Sequence, residues 1–93
     1  LGETFEEKSE DGDGESRVFK REFQIAVKKA IFALPEKQRE VFLLREVSGL
    51  PYKEIAAAVG EMENTVKSQM RYALGKLRKN LEEQGFSLDD LGE

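Results

Sequence analysis

Apolar residues in this chain recur at helical spacing, and glycine or proline punctuates them into four stretches; nothing else in the sequence limits the fold so strongly. Phe19, Phe23, Ala26, Val27, Ala30, Ile31 and Leu34 fall at i, i+4, i+7, i+8, i+11, i+12 and i+15, one stripe of an α-helix that Ser16 is suited to N-cap. Pro35 and Glu36 open a second helix, whose inward face is marked by Val41, Leu44 and Val47 and which Ser48-Gly49 stops. Pro51 opens a third, short helix carrying Ile55, Ala56 and Val59. Gly60 ends it, because a sharp turn between helices needs the left-handed backbone that glycine adopts without strain. The fourth helix begins near Glu63, places Val66, Met70, Ala73, Leu77 and Leu81 on one stripe with Leu74 beside it, and runs to about Glu83, ahead of Gly85. No alternating β-branched run occurs. The expected fold is therefore all-α: a four-helix domain with a C-terminal helix-turn-helix and a long recognition helix.

The ends of the chain read differently from its middle. Residues 1–16 include DGDGES, are rich in acid and glycine, and show no period, so they bury too little apolar surface to offset the entropy of ordering. They are expected to be a disordered acidic linker or tail, followed by the folded domain over 17–83 and an acidic tail over 84–93. The net charge of −4 hides this segregation: residues 1–16 carry −6, residues 17–81 carry +7 and residues 82–93 carry −5. A whole-chain acidic balance argues against nucleic acid, but the basic middle reverses that inference.

Composition removes several chemistries. The 93 residues contain neither cysteine nor histidine, which excludes disulfides, thiolate nucleophiles, a histidine base and Cys/His zinc sites. No nucleophile–base pair and no Gly-rich phosphate loop is present, so no enzymatic activity, catalytic residue, metal or cofactor is expected. The longest apolar runs, at 30–34 and 55–59, have five residues each, far short of the roughly 20 that cross a bilayer. The chain opens LGETFEE, without an initiator Met or a signal-peptide pattern. The expectation is a cytoplasmic fragment of a longer protein.

Residues 51–81 have the outline of a helix-turn-helix: a short helix, a tight turn at Gly60-Glu61-Met62, and a longer helix. Ala56 permits close helix approach, and Val66 would plug the space between the helices. From Asn64 to Leu81 there is no acidic residue, while Lys67, Arg71, Lys76, Arg78 and Lys79 supply five bases. In a chain with 19 acids, an acid-free helix of this length fits a surface that lies against phosphate. Asn64, Thr65, Lys67, Ser68 and Arg71 are outward at its start, and these residue types bond base edges and phosphate oxygens from a helix in the major groove. A basic but merely solvated helix face is the alternative.

At this point the sequence resembles a known family. LPEKQREVFLLRE, then GLPYKEIA, then GEMENTVKS, within residues 33–81, are similar in order and spacing to region 4 of bacterial sigma factors of the sigma-70 family, most closely the extracytoplasmic-function (ECF) group. The resemblance implies a helical domain that recognises the minus-35 element of double-stranded promoter DNA and docks on the β flap of the RNA polymerase core. It also implies DNA-binding roles by position. Lys67, Ser68 and Arg71 would face the major groove, Asn64 and Thr65 the backbone at the helix start, and Tyr52 and Lys53 phosphate from the preceding helix. Arg78 joins them as a base further along the helix, and Arg39 would be a further backbone contact or, equally, a salt-bridge partner of Glu36 or Glu40.

The chain departs from the family pattern at Met62, where a small residue or proline is common, and at Gln69, Tyr72 and Leu74, where bases are common. Fewer phosphate contacts follow. Glu61 and Glu63 favour the helix dipole but oppose DNA at the mouth of the helix. Gly75 costs about 1 kcal/mol against alanine within a helix, and close packing or a soft point would account for it. No region 2 pattern is present, so reading the minus-10 element or opening DNA would require a part outside this chain.

The remaining apolar residues bear on partners. Phe19, Phe23, Phe42 and Leu43 are expected in the core. Val18, Ile25 and Phe32, seven apart, form a second stripe on the first helix, either buried on both sides or exposed to a partner; for such a family the candidates are the polymerase flap and an anti-sigma factor. The acidic residues 1–16 would act as a solvated tether, or fold over the basic helix and compete with DNA. A monomer without membrane contact is expected. Two rival readings stand beside the sigma reading: the DNA-binding domain of a response-regulator-type transcription factor, and a helical protein-interaction module whose charges only solubilise it.

Overall fold

The computed structural model describes residues 14–87, and within them the chain forms four α-helices and no strand: α1 (Gly14–Phe32), α2 (Glu36–Glu46), α3 (Tyr52–Val59) and α4 (Glu63–Glu83). The linker expected over 1–16 lies outside the described residues as far as Asp13, as does the acidic tail from Leu88. The first helix begins at Gly14 rather than at Ser16. A side chain able to cap marks only a candidate boundary, and the helix continues wherever backbone bonds can be made.

No side chain caps the start of α2, α3 or α4, and backbone bonds shape each turn. At the end of α1 the bonds tighten, with Ala33 N–H donating to Ala30 O (3.2 Å) and Leu34 N–H to Ile31 O (3.1 Å). Pro35 then stops the helix and serves as the N-cap of α2, extended at φ −56°, ψ 149°, with no N–H to leave unpaired. Pro51, extended at φ −71°, ψ 154°, is likewise the N-cap of α3. Between α3 and α4, Gly60 adopts φ 75°, ψ 34°, and Gly60 N–H and Glu61 N–H both reach Ala56 O, at 2.9 and 3.1 Å. This left-handed cap sets the turn of the helix-turn-helix.

α4 is the spine, packed against each of the other three helices. Its buried stripe is the one expected from the sequence, Val66, Met70, Ala73, Leu77 and Leu81, and it serves two separate clusters. The N-terminal half meets Val41, Ile55 and Ala56, with Leu44, Leu50, Tyr52 and Val59 around them. The C-terminal half meets Ala26, Ala30 and Leu34 of the α1 stripe, with Phe23, Val27, Ile31 and Phe86 around them. Phe42 of α2 touches both clusters. Ile55 and Val66 are fully buried, each contributing roughly 1.5–3 kcal/mol of hydrophobic stabilisation.

Three expectations change, and at Gly75 one of two alternatives falls. Phe19 is 42% exposed, because it lies past the end of the α1 cluster, where only the rings of Phe23 and Phe86 meet it, at centroid distances of 6.3 and 5.7 Å. Leu43 is on the solvent side of α2, two residues and therefore about 200° around the helix from buried Val41. Val47 is 75% exposed; it is the C-cap of α2 and follows the last packed turn. Gly75 is not closely packed, since a Cβ placed there would meet nothing within 4 Å. The fold also reaches past residue 83. Gly85, at φ 98°, reverses the chain so that Phe86 N–H bonds Leu81 O (3.0 Å) and its ring closes edge-on against Phe23 at 5.3 Å.

Candidate nucleic-acid interface

The face of α4 opposite its buried stripe carries the candidate residues. Asn64, Ser68, Arg71, Gly75 and Arg78 follow i, i+4, i+7, i+11 and i+14, a stripe about half a turn from Val66, Met70 and Leu77. Asn64, Lys67, Arg71 and Arg78 are exposed, while Thr65 and Ser68 at the helix start are half-buried. No side chain caps α4: Met62, extended at φ −80°, ψ 153°, occupies the N-cap, so free N–H groups remain at the first turn. Lys67 Nζ stands 3.8 Å from Glu63 Oε2, both about half exposed. An i,i+4 pair this loose and solvated holds the lysine only weakly, leaving it free to move to phosphate.

Tyr52 and Lys53 stand at the start of α3, the tyrosine half-buried and the lysine exposed. The Arg45 guanidinium lies over the Tyr52 ring at 4.3 Å from its centroid, and Arg45 Nη1 donates to Leu50 O at 3.1 Å. Arg45 thus fixes the entry to α3 from α2, a role the sequence did not reveal because stacking partners on different helices share no local spacing. Arg39 is also bound inward. Its Nη1 donates to Phe32 O (3.0 Å) and Leu34 O (3.2 Å), satisfying carbonyls left open where α1 ends. Among the described residues it pairs with neither Glu36 nor Glu40.

One ion pair ties the turn of the helix-turn-helix to α2. Lys37 Nζ donates to Glu61 Oε2 at 2.9 Å. The bond to Glu61 and its charge, with smaller help from Glu40 and Glu36, raise the Lys37 pKa above the ordinary lysine value. Glu61 is thereby partly neutralised at the mouth of α4, which lessens the repulsion that its charge alone would offer to DNA. The two residues are 24 apart in sequence, and no local pattern could have paired them.

On the other flank of α4 a shallow groove is lined by Gln38, Arg71, Tyr72, Gly75, Lys76 and Lys79. Among the described residues no group of carboxylates could hold a metal ion, and no helix is long and apolar enough to cross a membrane. The second α1 stripe is open: Val18 is 56%, Ile25 49% and Phe32 73% exposed.

A long helix that is basic and without an acid from Asn64 to Leu81, seated by a short helix and a glycine turn, defines a helix-turn-helix module. A family model described as "Sigma-70, region 4" matches residues 24–77, more than half of the chain, and the chain belongs to that family. The RNA polymerase sigma factor SigZ of Bacillus subtilis is 34% identical over 68 residues, 73% of this chain and 39% of that protein. The ECF RNA polymerase sigma factor SigD of Mycobacterium tuberculosis is 44% identical over 48 residues, 52% of this chain and 23% of its own length. The RNA polymerase sigma-E factor of Streptomyces antibioticus is 43% identical over 53 residues, 57% of this chain and 29% of its own. The chain spans well under half the length of these relatives.

Proposed function

We propose that this chain is the promoter-binding region 4 of an ECF-type RNA polymerase sigma factor, with α4 in the major groove of the minus-35 element. The observation that carries the reading is the outer face of α4 from Asn64 to Leu81, basic and without an acid, held by a fully buried Ile55–Val66 core. Lys67, Ser68 and Arg71 reach base edges, and Asn64 and Thr65 meet the backbone where α4 begins. Lys53, beside the Tyr52 that Arg45 steadies, contacts phosphate from α3, and Arg78 does so from further along α4. Arg39 serves chiefly to lock α1 onto α2, with its Nη1 spent on carbonyls. The domain binds and does no chemistry of its own; it works in the cytoplasm as a monomer and joins the polymerase core through the β flap. Val18, Ile25 and Phe32 offer an open apolar stripe to that flap or to an anti-sigma factor.

The test is a titration of the chain into labelled duplexes carrying an ECF-type minus-35 element or a scrambled copy, across a salt series. The expected result is preference for the element and a log-log salt slope of roughly −3 to −5, for three to five phosphates neutralised. Arg71→Ala should abolish the preference, at roughly 1–3 kcal/mol. Two half-sites bound by a dimer would favour the response-regulator reading, and no binding at any salt the interaction module.

A further inference from the structure

Gly75 lies at the centre of the outer face of α4, one helical turn beyond Arg71, and nothing in the fold accounts for it. Its backbone is helical, so no left-handed turn requires it. A Cβ there would meet no atom within 4 Å, so no neighbouring helix requires it either. A glycine in a helix interior is unfavourable relative to alanine, and here that cost is met without any internal gain in packing. What the missing side chain does is open the floor of the groove lined by Gln38, Arg71, Tyr72, Gly75, Lys76 and Lys79.

The chemistry of that groove is one-sided. Three cations line it and no carboxylate does. Among the described residues, the ion pairs of the domain are Lys37–Glu61 and Lys67–Glu63, so Arg71, Lys76 and Lys79 have no carboxylate within bonding distance there. Gln38, on α2, forms the far wall of the groove. Three cations thus surround a gap that a side chain at 75 would narrow, which suits a tetrahedral, multiply accepting anion.

We infer that the Gly75 groove seats a backbone phosphate of the same duplex that the start of α4 reads, with Lys76 and Lys79 as its cations and Arg71 shared between the two contacts. The inference rests on the DNA-binding reading above and adds a phosphate site to it. Two features favour DNA over an acidic polypeptide. The groove continues the face that carries Asn64, Ser68 and Arg71, and every charged side chain that lines it is a cation. Seven residues from Ser68 to Gly75 advance about 10 Å along the helix axis, so the contact falls beyond the bases read at the helix start, where a helix leaving the major groove passes over a strand.

The experiment uses the full 93-residue chain and its variants Gly75→Leu, Lys79→Gln and Lys76→Gln, titrated across salt into the minus-35 duplex and its scrambled copy, with thermal melts of each variant. Leucine is a strong helix former and its Cβ has free space, so Gly75→Leu is expected to melt at or above the unsubstituted chain while binding both duplexes roughly tenfold more weakly. Each lysine variant should reduce the log-log salt slope by about 1, on both duplexes alike. Because a phosphate contact carries no sequence information, the ratio between duplexes should stay unchanged. Variants that bind with the affinity and slope of the unsubstituted chain would overturn the site, and would leave the groove to an acidic polypeptide. Loss of preference between the duplexes with the slope changes intact would instead remove the promoter reading and keep the phosphate site. Absence of binding to either duplex would remove both.

Discussion

The two halves of α4 are packed in different ways, and the contrast explains how a domain this small holds a reading surface steady. Around its N-terminal half the buried residues include the branched Val41, Ile55 and Val66, the last two sealed from solvent. Around its C-terminal half, three of the six buried residues are alanines, Ala26, Ala30 and Ala73, with leucines beside them and aromatic rings at the rim. Branched chains in a sealed cluster have few rotamers and little room to shift. Alanines let α1 come close but bury little area each, so the outer end depends on rings that stay partly in water. The rigid half is the half that carries Asn64, Ser68 and Arg71. The domain thus concentrates its tightest packing behind the face proposed to meet base edges.

The sharpest way to break this contrast is Ile55→Ala, which should cost about 3 kcal/mol in urea denaturation, since the cavity it leaves is enclosed on every side. DNA affinity should fall with it, because α3 and the turn at Gly60 lose their seat. Phe86→Ala is the matching change at the other end. Its ring is half-buried and closes edge-on against Phe19 and Phe23, so a loss of about 1.5 kcal/mol is expected, with promoter preference unchanged. If Phe86→Ala abolished that preference, the two halves would not be separable as argued. Arg39→Ala should cost about 1 kcal/mol by releasing the Phe32 and Leu34 carbonyls, and should leave the salt slope of DNA binding as it was; a slope reduced by about 1 would return Arg39 to the phosphate contacts.

The smallest effect belongs to the Lys37–Glu61 pair. The folded-state pKa of Lys37 is raised above the ordinary 10.5, first by its hydrogen bond to Glu61 and then by the Glu61 charge. Its contribution to stability is therefore complete below the ordinary lysine value and disappears as pH rises through the raised folded value. Around neutral pH this pair should give the melting curves no pH dependence, because its contribution is already complete there. They should show a slight alkaline destabilisation that Glu61→Gln abolishes and that added salt weakens.

Much of the site was legible because it lies on one helix. Asn64, Lys67, Ser68, Arg71 and Arg78 share a face by spacing alone, and their exposure follows once Val66, Met70 and Leu77 are known to face inward. Arg39 was not legible, because a guanidinium five to seven residues after a helix end can turn back to its carbonyls or outward with equal ease. Gly75 stood open between close packing and a soft point. A helical glycine in a sequence has the same appearance whether it yields space to a neighbour or leaves space open, and only the surroundings tell the two apart.

The sequence by itself determined the number of helices, where three of them start and stop, the stripes that α3 and α4 bury, and the separation of a basic middle from acidic ends. These are local properties, set by a 3.6-residue period and by where proline and glycine fall. Tertiary structure decided which of the two α1 stripes is covered, where Phe86 returns to the core, and which carbonyls Arg39 holds. It also joined Lys37 to Glu61 and set Gln38 beside Arg71 and Lys79. Each of these joins residues on different elements, and the packing of α1, α2 and α3 on α4 fixes such pairings where periodicity along the chain does not.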